Sequence, residues 1–134
     1  MRRYLLDSDI LSGYALGAVR LVALVAPWVV QHEAVTSVIA FGETVERIIH
    51  WADFPARHKS LQAILDNIVP LPVTMEVTRR YAEIRSSLRL SNALIGDMDT
   101  LIAATAIEHG LMVVSTNINH FGRVPDLKLL HVAR

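Results

Sequence analysis

Apolar residues along the chain fall into two alternating patterns. Short runs predict strands over 3–7, 33–37, 68–73, 111–116 and 127–132. Helical spacing between the runs predicts helices over 15–31, 38–50, 56–66, 75–90 and 98–109. Strands separated by helices indicate an α/β fold in which a mostly parallel sheet lies between helices.

Some details refine this outline. Two prolines in the run 68–73 exclude it from the centre of the sheet, and the run 127–132 is expected at an edge. The helix over 15–31 is interpreted as buried, because Arg20 is its only charge before the end. No repeat, linker or low-complexity tract is present, so a single domain is predicted over 1–134.

Composition excludes several classes of protein. The chain is 52% hydrophobic, which supports a real core, and its 13 basic and 13 acidic residues exclude a general basic coat for nucleic acid. The absence of cysteine excludes a disulfide scaffold, a thiolate metal site and a cysteine nucleophile. The longest apolar run, 21–30, is too short to span a bilayer, and the N-terminus makes a poor signal peptide. A soluble, cytoplasmic protein without a membrane partner is expected.

Polar residues follow the predicted strands at three places. Asp7 ends the first run and Asp9 lies two residues beyond it, Ser37 ends the second, and Ser115 to Asn117 lie at the end of the fourth. Ligands of parallel sheets bind beyond the carboxyl ends of strands, so a site is predicted there. Each aspartate also has a simpler interpretation as a turn or helix cap.

Glutamates and further aspartates add to this set. Glu43 lies off the apolar stripe of its helix, and the alternative to a site role is a surface pair with Arg47. Glu46 lies one turn along and has no assigned role. Asp99 shares a helix face with residues that must pack on the sheet, so it is predicted to point into a site. Asp97 is predicted to be the cap of that helix.

Oxygen ligands without a cysteine or histidine cluster suit Mg²⁺ or Mn²⁺. The six histidines show no metal-binding spacing. Such ions activate water for attack on phosphodiesters, so nuclease chemistry is a candidate.

Four segments in order resemble the PIN-domain family, and more narrowly its VapC-type toxins. They are YLLDSDIL at 4–11, VTSVIAFGETVERI at 35–48, GDMDTLIAATAIEHGLMVVSTNINHF at 96–121 and RVPDLKLL at 123–130. The resemblance implies a three-layer α/β/α sandwich and a Mg²⁺-dependent endoribonuclease, the toxin of a type II toxin–antitoxin pair. Hydrolysis of RNA phosphodiester bonds is the implied reaction.

The family's functional positions transfer onto residues of this chain. The resemblance implies that Asp7, Glu43 and Asp99 are the metal ligands and that Ser115 and Asn117 are further catalytic positions. His120 stands where the family often has an acid, and Asn117 is uncharged, so the number of metal ions stays open. Ser8-Asp9 replaces a common Thr-Asn.

The resemblance also implies partners. A cognate antitoxin is expected to bind a hydrophobic groove formed by the helix over 15–31 and parts of 38–66, in the manner of a helix in a groove. A homodimer is expected as well. Arginines on the helix over 75–90 are candidates for RNA phosphate contacts, and the alternative is a solvated face with Glu76 and Glu83.

Other functions stay open. One is a non-catalytic PIN-like protein that only binds a partner, which the neutral Asn117 favours. Another is a nuclease of the same fold that acts on other nucleic acids. A phosphoacceptor signalling domain also has early paired acids and a late lysine, here Lys128. That alternative is disfavoured because Asp53, its phosphoacceptor candidate, follows a helical pattern instead of a buried strand.

Overall fold

A computed structural model describes the whole chain, residues 1–134, as five strands and seven helices. The strands are β1 Tyr4–Leu6, β2 Ala34–Ser37, β3 Val69–Leu71, β4 Met112–Ser115 and β5 Leu129–His131. The helices are α1 Ser8–Ala15, α2 Val19–Val30, α3 Val38–Ile48, α4 Phe54–Ile64, α5 Met75–Leu90, α6 Asp97–His109 and α7 Ile118–Phe121.

The strands form one parallel sheet in the order β3-β2-β1-β4-β5. Leu5 of β1 pairs with Val35 of β2 on one side and with Val113 of β4 on the other. The chain builds outwards from β1 to β3 and then crosses to β4 on the other side of β1. This reversal creates a crevice at the carboxyl ends of β1 and β4, the usual ligand position in open parallel sheets.

Two apolar cores lie on opposite faces of the sheet, because successive strand residues point to opposite sides. Leu5 and Val113 belong to a core that includes residues of α5 and α6. Leu6 and Val114 belong to a second core that includes residues of α1, α2 and α4. The predicted three-layer α/β/α sandwich is therefore confirmed.

Side-chain caps connect the strand ends to the helices that follow. Asp7 is the N-cap of α1, and its side chain accepts from the Ser8 N–H. Ser37 is the N-cap of α3, where the Ala40 N–H donates to Ser37 Oγ at 3.0 Å. Each strand therefore enters its helix without a loop, and the polar caps collect at one edge of the sheet.

The helix predicted over 15–31 is wrong in two respects. The chain instead forms α1 and α2, separated at Gly17, whose φ of +78° is a conformation that glycine adopts without steric cost. The α2 helix is not buried. Only Val25 among its residues is buried, while Val19 and Val30 are 85% and 78% exposed.

Most other elements agree with the expected pattern. The α5 helix has the predicted bounds, and β3 and β5 are the edge strands, as expected from the prolines and from the position of the last apolar run. The short α7 was not predicted. No single helix is long and apolar enough to cross a membrane, although α1 and α2 together, bent by 99°, reach that length and composition.

Candidate active site

Asp7 is held rigidly at the end of β1. It is 5% exposed, and both of its carboxylate oxygens accept hydrogen bonds. The Ser8 N–H donates to Oδ1 at 2.8 Å, and Ser115 Oγ, from the end of β4, donates to Oδ2 at 2.7 Å. The neighbouring strands β1 and β4 thus fix the orientation of this acid.

Glu43 and Asp99 approach Asp7 from two other elements. Glu43 lies on α3 and Asp99 lies in the first turn of α6. One carboxylate oxygen from each of the three residues lies within 4.8 Å of the others. Three acids that are distant in sequence therefore converge at the carboxyl ends of β1 and β4.

The electrostatics of this cluster favour a bound cation. Burial raises the pKa of Asp7 from its ordinary value of 3.8 to about 7, with a further increase from the charge of Asp9, although the hydrogen bond from Ser115 opposes it. Burial and the charge of Asp99 raise the pKa of Glu43, while Ser8 and Arg47 lower it. Hard oxygen ligands in a cluster of like charges match what Mg²⁺ or Mn²⁺ binds, so these residues fit such an ion.

Ser115 and Asn117 support the acids. Ser115 is fully buried, and besides donating to Asp7 it accepts the backbone N–H of Asn117 at 2.9 Å. Asn117 is the N-cap of α7, and its Nδ2 donates to Asp99 Oδ2 at 3.4 Å. The turn after β4 therefore contacts both Asp7 and Asp99.

A model of the PIN domain matches residues 4–127, a range that includes all three acids. The chain belongs to the PIN domain family. Its five-stranded parallel sheet and flanking helices agree with that assignment.

Named relatives of this PIN domain are ribonucleases of the VapC group. Ribonuclease VapC1 of Rickettsia felis is 40% identical over 63 residues, which cover 47% of this chain and 47% of that protein. Ribonuclease VapC4 of Mycobacterium tuberculosis is 26% identical over 98 residues, which cover 72% of this chain and 75% of that protein. The chain thus spans about half the length of the first of these relatives.

Solved structures extend the likeness across the whole fold. The DNA-bound VapBC complex of Salmonella typhimurium contains a chain with a TM-score of 0.87 and 17% identity, over 98% of both chains. The structure of FitAcB from Neisseria gonorrhoeae contains a chain with a TM-score of 0.80 and 25% identity, over 96% of both chains. At these identities, the comparison describes the fold of the PIN domain.

The predicted site residues of this PIN domain lie together. Asp7, Glu43 and Asp99 form the cluster, and Ser115 and Asn117 contact it. That these residues bind a metal and catalyse a reaction stays a prediction.

Asp97 is not the helix cap, so that prediction is wrong. Gly96 occupies the cap position, and Asp97 is the first residue of α6. Its carboxylate accepts from Arg85 Nη1 at 2.5 Å and from Tyr81 Oη at 3.0 Å. These partners prevail because the packing of α5 on α6 brings both donors beside Asp97.

Asp9 stabilises the turn after β4. Its Oδ2 accepts from the backbone N–H of Thr116 at 3.1 Å and from the Thr116 hydroxyl, and its Oδ1 accepts from the Ile10 N–H at 2.8 Å. Asp9 therefore links α1 to the segment that carries Ser115 and Asn117. Its carboxylate is absent from the three-acid cluster.

Several basic residues have partners within the chain. Arg47 donates to Ser8 Oγ at 3.0 Å. On α5, Arg79 and Arg80 pair with Glu83, and Arg85 pairs with Asp97. This face of α5 agrees with the solvated alternative, and RNA contacts by its arginines stay a prediction.

His120 is a site residue that the histidine spacing did not indicate. Its Nδ1 lies 2.6 Å from Asp99 Oδ2, although 21 residues separate the two. The carboxylate is an acceptor only, so the tautomer with a proton on Nδ1 is assigned, in which Nδ1 donates to Asp99 Oδ2. One signal was available in the sequence, because His120 follows Asn117 by three residues and a helical turn places them on one face.

Removing the His120 imidazole is expected to weaken metal binding. Partners that orient a ligating carboxylate typically contribute about 10- to 100-fold in metal affinity, and His120→Ala should lose this amount. His120→Asn keeps an N–H donor near the position of Nδ1 and should retain most of the affinity. Isothermal titration with Mg²⁺ and Mn²⁺ measures both variants.

The direction of the change in Mg²⁺ affinity shows what the His120 imidazole does. If His120→Ala bound Mg²⁺ more tightly than the wild type, the imidazole would be a competitor of the ion for Asp99 and not its support. Equal losses in the Ala and Asn variants would show that the ring packing matters and the hydrogen bond does not.

Proposed function

We propose that this chain is a metal-dependent endoribonuclease and the toxin of a type II toxin–antitoxin pair. The observation that carries the proposal is the convergence of Asp7, Glu43 and Asp99 within 4.8 Å at the carboxyl ends of β1 and β4. The names of its relatives, Ribonuclease VapC1 and Ribonuclease VapC4, support the activity and the substrate class.

The three acids would hold Mg²⁺, or Mn²⁺ in its place. When bound, such an ion activates water and offsets the negative charge that develops on the phosphate. Hydrolysis then adds the water oxygen to phosphorus, breaks one phosphorus–oxygen bond and transfers a proton to the leaving oxygen. Three carboxylates are enough for one ion, and the neutral Asn117 favours a single ion over two.

The other residues keep these acids in position. Ser115 and the Ser8 N–H orient Asp7, and His120 and Asn117 orient Asp99. Because these donors are fixed by strand ends and helix caps, the carboxylates need little reorganisation during the reaction. Such preorganisation is a large part of electrostatic catalysis.

We further propose that an antitoxin covers an apolar cleft beside α2. The similar structures from Rickettsia felis and Salmonella typhimurium are VapBC complexes. A cavity of about 370 Å³ lies between α2 and the C-terminal end of the chain, lined by Leu21, Leu24, Leu130 and Val132 among others. This cleft borders β5 instead of the expected 38–66 segment, and an amphipathic helix fits such a surface.

The remaining expectations are part of the same proposal. The chain would act as a single domain, as a homodimer and in the cytoplasm. Analytical ultracentrifugation of the protein, with and without its partner, measures the stoichiometry.

Metal-dependent cleavage tests the proposal. Protein purified free of antitoxin is incubated with transfer, ribosomal and messenger RNA, in Mg²⁺ and in EDTA. Discrete cleavage in Mg²⁺ and at least about a 100-fold lower rate in EDTA are expected, the loss that follows removal of a charge-stabilising group. A single-stranded DNA of matched sequence is the control for substrate class.

Two results would contradict the proposal. Cleavage that persists in EDTA would exclude the metal chemistry. No cleavage of any RNA would favour the alternative, a PIN domain that only binds a partner.

A further inference from the structure

The interior of α3 contains a glycine that neither the fold nor the backbone requires. Gly42 is exposed in the middle of the helix, and a Cβ added there would meet no atom within 4 Å. Its φ is not positive, so any residue could adopt this conformation. Glycine destabilises a helix interior relative to alanine, because it loses more conformational freedom on folding. Packing within the chain does not require the glycine either.

Gly42 instead forms part of an open apolar pocket. The pocket has a volume of about 400 Å³ and is lined by Val38, Ile39, Gly42, Glu43, Glu46 and Met98. Val38 and Met98 are 39% and 45% exposed, more than a core would leave. A long side chain at position 42 would occupy part of this space, since a Cβ there would already point into it.

This pocket is continuous with the proposed metal site. Glu43 lines the pocket and belongs to the three-acid cluster. Met98 lines the pocket and directly precedes Asp99. A group bound in the pocket would therefore lie next to the phosphate that the metal site holds.

The chemistry of the lining selects the occupant. The carboxylates of Glu43 and Glu46 repel a second phosphate, so the neutral part of a nucleotide is favoured. The apolar side chains of Val38 and Met98 provide a surface that a flat ring can cover, and the open helix backbone at Gly42 lets the ring approach it. The Glu46 carboxylate accepts hydrogen bonds, and guanine presents two adjacent N–H donors on its pairing edge.

We propose that this Gly42 pocket is a nucleobase subsite that holds a guanine next to the scissile phosphate. The inference rests on the proposed ribonuclease function, since it identifies the base that the same site would select. Gly42 provides the space, Val38 and Met98 provide the apolar surface, and Glu46 selects the base.

Binding of mononucleotides tests the proposal without requiring cleavage. Amide chemical shifts of the 14.9 kDa protein are recorded during titration with guanosine 5′-monophosphate, adenosine 5′-monophosphate and ribose 5-phosphate, in Mg²⁺. Shifts at Gly42 and Met98 are expected with the guanine nucleotide. Its affinity should exceed that of ribose 5-phosphate by about tenfold, the effect of covering roughly 60 Å² of apolar surface with the base.

Variants assign the binding to the pocket. Gly42→Leu fills the space and should remove the tenfold advantage of the base. Gly42→Ala should be at least as stable to urea as the wild type, so a loss of nucleotide binding in that variant does not reflect misfolding. Glu46→Gln should abolish the preference for guanine over adenine. Gln62→Leu, which adds the same side chain at an exposed position of α4, is the matched control and should change nothing.

Several results would overturn the proposal. Equal shifts with ribose 5-phosphate would show that no base is recognised. Shifts with arginine amide but not with the nucleotide would assign the pocket to a basic side chain of a protein. Shifts at Gly42 that depend on protein concentration without ligand would assign it to an interface between two copies.

Binding and cleavage also separate the two proposals. If the guanine nucleotide binds in the pocket but no RNA is cleaved, the subsite stands and the nuclease function fails. If RNA is cleaved equally well by the wild type and by Gly42→Leu, whatever base flanks the cleaved bond, the nuclease stands and the subsite fails.

Discussion

Replacing Asp99 with asparagine is expected to lower the rate of RNA cleavage by about 100- to 1,000-fold. The substitution keeps the shape of the side chain and removes the charge that, with Asp7 and Glu43, is proposed to hold the metal ion. Removal of one preorganised group that stabilises developing charge typically has an effect of this size. Single-turnover cleavage of an RNA oligonucleotide at saturating Mg²⁺ measures the loss. An Mg²⁺ titration then separates weaker metal binding from slower chemistry.

Asp97→Asn is the matched control for this experiment. Asp97 lies two residues away on the same helix turn, but its carboxylate pairs with Arg85 and Tyr81 at the surface. An exposed pair of this kind contributes about 1 kcal/mol or less to stability, so this variant should cleave within about twofold of the wild type. Equal losses in both variants, or a larger loss in Asp97→Asn, would contradict the assignment of Asp99 to the site.

Replacing Asp7 with asparagine is expected to stabilise the metal-free protein while abolishing its activity. Burial raises the pKa of Asp7 to about 7, so above that pH the folded chain carries a buried charge at a cost in free energy. Each pKa unit corresponds to about 1.4 kcal/mol, and the gain in the free energy of unfolding is expected to be a few kcal/mol. Urea denaturation in EDTA at pH 8 measures this gain. The amide oxygen can accept from the Ser8 N–H while Nδ2 donates to Ser115 Oγ, whose hydroxyl rotates, so both contacts of Asp7 are kept.

The gain should depend on pH with a definite sign. Asp7 has a higher pKa in the folded chain than in the unfolded chain, where it is near 3.8. Between these values the folded state binds more protons, so the wild type loses stability as pH rises from about 4 to about 7. The advantage of Asp7→Asn should be full above about pH 7 and should vanish as the pH falls towards 4.

Magnesium should reduce this difference in stability. Ligand binding stabilises only the state that binds it, so Mg²⁺ should raise the melting temperature of the wild type and leave that of Asp7→Asn almost unchanged. A variant that is less stable than the wild type in EDTA at pH 8 would show that the Asp7 charge is compensated in the folded chain. Ser115→Ala is a useful comparison because it removes the hydroxyl donor and leaves the acid in place.

The expected gain in stability and loss of activity in Asp7→Asn describe a balance between stability and function. A cluster of acids that is unfavourable without a cation is the arrangement that a cation site requires. Natural proteins commonly keep such destabilising groups where activity depends on them. Asp7 is the clearest case in this chain, since its burial, its charge and its proposed role conflict in the metal-free state.

The sequence by itself determined the class of the fold and indicated two of the three clustered acids, Asp7 and Asp99, while Glu43 was assigned by the family resemblance. Short apolar runs separated by helical spacing predicted a parallel sheet between helices, because the side-chain period differs between strands and helices. The ends of those runs placed Asp7 and Ser115 at one edge of the sheet. The local pattern on α6 distinguished Asp99 from Asp97, since only Asp99 shares the face that packs on the sheet.

The pattern of apolar residues did not predict the burial or the bounds of α2, because these depend on the neighbouring elements. The apolar composition of α2 predicted burial, but composition does not determine what covers a helix, and α2 lies largely exposed. The break before it depended on a single glycine, Gly17, whose positive φ has no signature in the apolar spacing.

Only the tertiary structure decided which distant side chains meet. Three contacts join residues 12 or more positions apart: His120 with Asp99, Thr116 with Asp9, and Arg85 with Asp97. Such contacts depend on how far helices rotate and slide as they pack on the sheet. Hydrophobic periodicity records only which face of an element is buried, so the partners become known when the elements are assembled.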